Sequence, residues 1–293
     1  MDAVCVKGSW DVCLAKNGAG ELTGVLVYHL RKYWGFTLIL MPPMTAYNGI
    51  HIFYPEDYKI HKRTSHQVKV TKTLKDQLPP CSLYFQQYHP DFNNWLPFYW
   101  DGYKQTTRYT YLMEKTIGQE TLKQKLKGNL RRSFNQLDKI TTIKQHDYET
   151  LWPLLVKSFQ KKNKPVPYNP VAVRQLFKNF EGTDRILAYG CHKNDNDELM
   201  AGVVIARDRH RNYGIINFNM PDARPNGALG YLIWETMFQL DTTTTDFEGS
   251  MLEEVEFYLR AFGGKLTPHY KIQKVFNPLL KWGLPLFKPN AFE

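Results

Sequence analysis

Apolar and polar positions alternate at the start of the chain as a half-buried sheet requires. Residues 10–16, 22–30 and 36–40 read as strands, and Asn17-Gly18-Ala19-Gly20 supplies the turn between the first two. Residues 56–78 are polar and lysine-rich, with Pro55 before them and Pro79-Pro80 after, which predicts a helix bounded by prolines. Aromatic-rich segments at 83–88, 96–100 and 107–113 predict three further strands. From 120 to 139, Leu122, Leu126, Leu130, Phe134 and Leu137 recur at helical spacing and predict one helix with a single apolar stripe. Its other faces carry Lys123, Lys125, Lys127, Arg131, Arg132 and Lys139; without interleaved stacking rings they read first as a solvated face.

The second half begins with a short strand at 141–144. Two helices follow, with stripes Leu151, Leu154, Leu155, Phe159 and Val173, Leu176, Phe177, Phe180, separated by Pro165-Val166-Pro167. Strands at 185–190, 199–206 and 213–218, joined by polar turns, predict an antiparallel meander. A loop over 221–230 then leads into a helix with Leu229, Leu232, Ile233, Met237 and Leu240 inward. An extended segment at 244–248 precedes a Gly249-Ser250 turn and a helix over 251–262, which Gly263-Gly264 terminates; a strand over 265–275 closes the series. The fold class is therefore α/β (α+β), with mixed, mainly antiparallel sheets flanked by helices. The expected domains are 1–140 and 141–293.

Length agrees with that division, since 293 residues is two domains at ~100–200 residues each. A hydrophobic fraction of 43% with 14% aromatic residues excludes a disordered chain. The longest apolar runs, 35–44 and 199–206, fall far short of the ~20 residues that cross a bilayer. The first residues lack a basic and apolar leader, so the expected compartment is the cytoplasm. Cys5, Cys13, Cys81 and Cys191 lie far apart with no metal-ligand spacing; they read as small buried hydrophobes, and no metal is expected. A net charge of +10 points to an anionic partner: an acyl-coenzyme A, a nucleotide-linked cell-wall precursor, a transfer RNA or an anionic membrane face. The plainer alternative is a basic protein with no such partner.

The loop before the third long helix carries the most chemistry. A helix N-terminus offers unpaired N–H groups and a positive dipole end, which suit a pyrophosphate. Gly227 and Gly230 would let it approach the backbone, and Asn226 is placed as N-cap. An ordinary cap and turn is the competing role. Gly-x-Ser-x-Gly, Gly-Lys-Ser/Thr and His-Glu-x-x-His motifs are absent from the sequence, which speaks against the corresponding hydrolase, ATPase and zinc chemistries.

Arg224-Pro225-Asn226-Gly227-Ala228-Leu229, between a strand and a helix, resembles the donor-binding signature of GNAT N-acyltransferases, departing from it at Leu229, where a small residue is usual. A closer resemblance is to the branch holding the Fem peptidyltransferases and the BioF2-like acetyltransferase domains. It rests on Asp2-Ala3-Val4-Cys5 with Trp10-Asp11, Pro42-Pro43-Met44-Thr45 with Gly49-Ile50, Arg108-Tyr109-Thr110-Tyr111, Asn129-Leu130-Arg131-Arg132, Asp246-Phe247-Glu248-Gly249-Ser250 and Phe262-Gly263-Gly264 with Tyr270. Members commonly carry a strand and helix before the Asp-Ala-Val-Cys segment, so Met1 is expected to be a late start. The resemblance implies tandem GNAT-like domains, a donor held by the second through Arg224, Asn226, Gly227, Ala228 and Gly230, and an acceptor in the cleft between them.

The implied reaction is amide formation: an acyl group passes from acetyl-coenzyme A or another acyl-coenzyme A to a primary amine of a small molecule or peptide. A Fem-like enzyme would instead take an aminoacyl group from transfer RNA and act on a cell-wall precursor, and a catalytically idle binding module is the third possibility. The chemistry needs a base for the ammonium proton, N–H groups for the oxyanion and an acid for the leaving group. Glu248 is the candidate base, or else a charge favouring the next helix. Asp246, expected on the same strand face, joins it or anchors the cleft; Tyr258 matches the leaving-group acid, with packing as its rival role. Arg260 is expected to meet substrate charge, and Trp100, Tyr103 and Arg108 to lie on the acceptor side.

Overall fold

The computed structural model describes residues 1–56 and 58–283, with the side chains of 224–226 and 281–283 left aside. Its packing divides the chain into unit 1, Met1–Arg108 with the described residues from Pro268 onward, and unit 2, Tyr109–Thr267. The expected boundary at 140/141 falls inside unit 2. Strand pairing explains the difference: β6 (Lys104–Glu114) enters unit 2 to pair there, and β12 (Lys265–Val275) ends in unit 1, where Lys271–Val275 pair with Leu83–Gln87. Each of these strands crosses the boundary along the chain, and its paired residues lie in the unit whose sheet they join, which no local pattern in the sequence announces.

In unit 1, β1 (Ser9–Lys16), β2 (Leu22–Tyr33) and β3 (Phe36–Leu40) form the expected meander, and a short β4 (Gly49–Ile52), which the sequence pattern missed, pairs with β2. Helix α1 (Ile60–Lys75) leads to β5 (Leu83–Gln87), which lies parallel to β3, and the strand order is β1-β2-β3-β5-β12. Leu26, Ile39, Leu74, Tyr84, Tyr88 and Phe98 fill the core. Residues 96–100, expected as a strand, instead hold a one-turn helix α2 (Leu96–Tyr99). Pro97 in its first turn fits a helix start and cannot donate to a ladder, and Asn94 Oδ1 accepts the Leu96 N–H at 3.2 Å.

Unit 2 orders its strands β6-β11-β10-β9-β8-β7. The predicted helix over 120–139 is two helices, α3 (Gln119–Lys125) and α4 (Gly128–Ile140). The break comes at Leu126, which is extended, and at Lys127, whose N–H is diverted to the Ala261 carbonyl at 2.9 Å. The stripe survives the break: Leu122, Leu126, Leu130, Phe134 and Leu137 are all buried. Then come β7 (Thr141–His146), α5 (Tyr148–Lys161), α6 (Pro170–Asn179) and the antiparallel β8 (Ile186–Lys193), β9 (Leu199–Arg207) and β10 (Arg211–Asn219). A tight helical turn (Pro221–Asn226), α7 (Ala228–Gln239), β11 (Thr244–Asp246), α8 (Glu253–Arg260) and β12 complete it, and α9 (Pro278–Gly283) belongs to unit 1. The two units follow one plan: antiparallel strands, one parallel pair joined through a helix, then a strand from the other half. Among the described residues, no helix is long and apolar enough to cross a membrane.

Phe134 locks α4 to the helices that carry the site. Its fully buried ring lies 5.8 Å from Tyr231, 6.1 Å from Trp234 and 6.0 Å from Phe262. Phe134→Ala should cost about 3–5 kcal/mol, because the facing rings cannot collapse into the cavity left behind. Urea unfolding measures it, and an unchanged midpoint would refute this role for Phe134.

Candidate functional site

Parallel strands β10 and β11 pair only at Arg211↔Thr244, Asn212↔Thr245 and Tyr213↔Asp246. Beyond that point β10 continues its pairing with β9 to Asn219 after an irregularity between Tyr213 and Ile216, while β11 ends. Two parallel strands that part in this way leave a wedge, with one edge of β10 unpaired toward it among the described residues. Into the wedge opens a cavity of about 260 Å³. Val203, Ile205, Leu229, Ile233 and Met237 give it apolar walls, and Asn217, Asp246, Glu248 and Tyr258 bring polar groups to it.

Asp246 is fully buried at the apex. Its Oδ1 accepts the Thr110 hydroxyl at 2.6 Å and the Glu248 backbone N–H at 2.9 Å, and Arg211 stands 3.8 Å from Oδ2. One carboxylate therefore ties β6, β10 and β11 to the turn that follows. That turn replaces the expected extended run to residue 248: Glu248 has φ 58° and Gly249 φ 62°, both left-handed. A Cβ on Gly249 would lie 1.8 Å from the Tyr109 carbonyl oxygen, so only glycine fits there. Glu248, a side chain that rarely adopts positive φ, is held in that conformation by its surroundings.

Glu248 Oε1 is buried and has no hydrogen-bond partner among the described residues, although part of the side chain reaches solvent. Burial, and then the neighbouring Asp246 charge, push the Glu248 carboxyl up to about 8. Tyr168, between α5 and α6, has its hydroxyl raised by burial and by the Glu248 charge, opposed by the nearby Asn217 backbone. Tyr213 lines the cavity and donates to Asp208 Oδ2 at 3.0 Å.

Solved structures resemble this chain over nearly its whole length. FemX superposes with a TM-score of 0.68 at 11% identity, covering 96% of this chain and 92% of that one. This is a Fem-like GNAT fold. L-PGS from Bacillus licheniformis gives 0.55 at 10% identity over 93% and 88% of the two chains. A tandem GNAT protein from the clavulanic acid biosynthesis pathway gives 0.51 at 9% identity over 92% and 83%. No protein-family model and no curated protein sequence matches the chain.

Within this Fem-like fold the expected residues divide. Glu248, Asp246 and Tyr258 meet at one cavity. Arg224 and Asn226 have side chains outside the described residues. Gly227, with φ 72°, takes the N-cap place expected of Asn226, because the tight turn through Asn226 hands the chain to α7 at a left-handed residue. Ala228 and Gly230 are buried. The Tyr258 hydroxyl packs against Gly230, where an added Cβ would lie 1.9 Å from that oxygen. A protein side chain thus stands at the first turn of α7, which was expected to face a pyrophosphate. Burial drives the Tyr258 hydroxyl up to about 12, opposed by the nearby Gly230 backbone.

Arg260 is exposed on α8, 3.7 Å from Glu256 and over the Phe257 ring. The other three belong to unit 1. Trp100 is exposed at the end of α2; Tyr103 is buried edge-on to Tyr84 and Phe98; Arg108 lies near His269, whose imidazole burial, then Arg108, push down to about 4. Thr110, Tyr168, Arg211 and Asn217 were not singled out from the sequence. Thr110 and Arg211 sit in ordinary strand patterns, and only the pairing of distant strands brings them to Asp246. All four cysteine thiols are pushed up by burial, which suits small hydrophobes and not a thiolate nucleophile.

The raised Glu248 carboxyl fixes a pH dependence of stability. The folded state holds this proton more tightly than the unfolded chain, whose value is the ordinary 4.5. Stability from this group is whole below about 4.5 and is lost as pH rises through about 8. Thermal melts of the wild type and Glu248→Gln across this window should show the advantage of the wild type shrinking as pH rises. A constant difference would rule the shift out.

Proposed function

We propose that the chain is an N-acyltransferase that moves an acyl group onto a primary amine, with its reaction centre in the β10–β11 wedge. The observation that carries the reading is Glu248: a buried, unpartnered carboxylate oxygen beside an apolar cavity where two parallel strands part. The acyl carbonyl enters the wedge, and N–H groups on the unpaired edge of β10 stabilise its developing oxyanion. Glu248 in its ionised form takes a proton from the acceptor's ammonium, and the neutral amine so freed attacks the acyl carbonyl. A carboxyl near 8 suits an amine acceptor better than an ordinary one, because base strength then approaches what the proton transfer requires. Tyr258, packed against Gly230, supplies its proton to the leaving group.

An acyl-coenzyme A is the donor expected of a GNAT fold. A specific observation favours the second reading, an aminoacyl ester on transfer RNA: the Tyr258 hydroxyl already stands against Gly230 at the start of α7. Its high hydroxyl value also matches the return of a proton to an alkoxide, which needs it more than a thiolate does. On this reading the acceptor is a peptide amine, as in cell-wall precursors.

Turnover should rise with pH to a plateau with a midpoint near 8, set by Glu248. Glu248→Gln should remove that titration and lower kcat by about 10²–10⁴-fold. Retention of both rate and profile in the variant would eliminate Glu248 as the base.

Calorimetric titration with acetyl-coenzyme A, run beside transfer assays with charged transfer RNA, separates the donors. On the ester reading, aminoacyl transfer proceeds and acetyl-coenzyme A gives no heat. Saturable acetyl-coenzyme A binding with acetyl transfer would establish the thioester instead, and failure of both would reduce the chain to a non-catalytic binding module.

A further inference from the structure

We infer that unit 1 docks on an anionic lipid surface through the end of its sheet formed by the β2–β3 turn and the start of α9. Tyr33 pairs with Phe36, leaving Trp34 (φ 49°) and Gly35 (φ 79°) as a two-residue turn with both residues left-handed. Asparagine or glycine is the usual first residue of such a turn, and an indole gains nothing there. Trp34 is nevertheless 81% exposed, and its ring stacks on exposed Tyr33 at 5.5 Å. A strained, exposed tryptophan that packs on no core contributes little to folding, so its role lies outside the fold.

The rest of this sheet end has the same character. Thr37 accepts the Ser82 N–H at 2.7 Å, and Ser82 accepts the Phe276 N–H at 2.9 Å, which places the end of β12 at the same end of the sheet as the turn. Phe276 is exposed and Leu279, in the first turn of α9, is 72% exposed. Arg31 and Lys32 precede the aromatic pair, and no Asp or Glu occurs between Glu21 and Glu56 or between Glu256 and Glu293. Asp101, which shares a cavity wall with Phe276, is paired with Lys75.

Tyrosine and tryptophan favour the boundary between lipid headgroups and acyl chains, and adjacent cations are drawn to anionic lipid. RNA fits this surface less well. Single-stranded nucleic acid needs separate rings along a basic groove to stack its bases, whereas these two rings stack on each other at the tip of a turn.

Co-sedimentation of the full chain with phosphatidylcholine vesicles, with and without phosphatidylglycerol, tests the proposal independently of any transfer activity. Binding should require phosphatidylglycerol and weaken with salt. Trp34→Asn, which suits the turn and keeps the fold, should weaken it about tenfold. Arg31→Gln with Lys32→Gln should lower it about fivefold per charge at low salt. Absence of wild-type binding, or equal binding by the folded variants, would overturn the proposal. So would a Trp34→Asn variant that loses affinity for RNA and retains it for vesicles.

Discussion

A single buried carboxylate organises one end of the sheet of unit 2. Asp246 stands where β11 stops, and its Oδ1 accepts two hydrogen bonds, one from the Thr110 hydroxyl on β6 and one from the backbone N–H of Glu248. Because that oxygen is committed to the turn, the chain cannot remain extended beside β10, and the two strands separate. The wedge, the cavity and the left-handed path through Glu248 and Gly249 all follow from this separation. Its charge also acts on the same neighbour it positions, disfavouring ionisation of Glu248. Shape and acidity at the site share one origin.

The start of α7 shows a second economy. A helix N-terminus left open would attract any anion. Here Tyr258 closes part of it from within and Gly230 supplies the room, so α7 and α8 are joined at the point where a phosphate would otherwise compete.

Much of this architecture was legible in the chain. The meanders, α1, the paired helices α5 and α6 and the strand at Lys265–Val275 follow from hydrophobic period and turn residues. Leu122, Leu126, Leu130, Phe134 and Leu137 gave the right buried stripe but the wrong continuity, since the interruption depends on a hydrogen bond from Lys127 to residue 261, far away in sequence. Pro97 was available as a sign of a helix start and was outweighed by its aromatic neighbours. At the site, Asp246, Glu248 and Tyr258 could be placed from their segments, whereas Thr110, Tyr168 and Arg211 could not, because strand neighbours that decide their roles lie tens of residues away or more. The division into units was hidden for the same reason: β6 and β12 look like any other strands until their partners are known.

The left-handed backbone at Glu248 constrains how this protein can change over evolutionary time. Most residues pay a steric penalty there, while Asn, Asp and Gly are tolerated. A lineage released from selection on chemistry would therefore drift at this position toward asparagine or glycine, keeping the turn and even relaxing it, yet discarding the carboxylate. Such a substitution would leave the turn and its obligatory glycine in place while removing the buried carboxylate from the cavity.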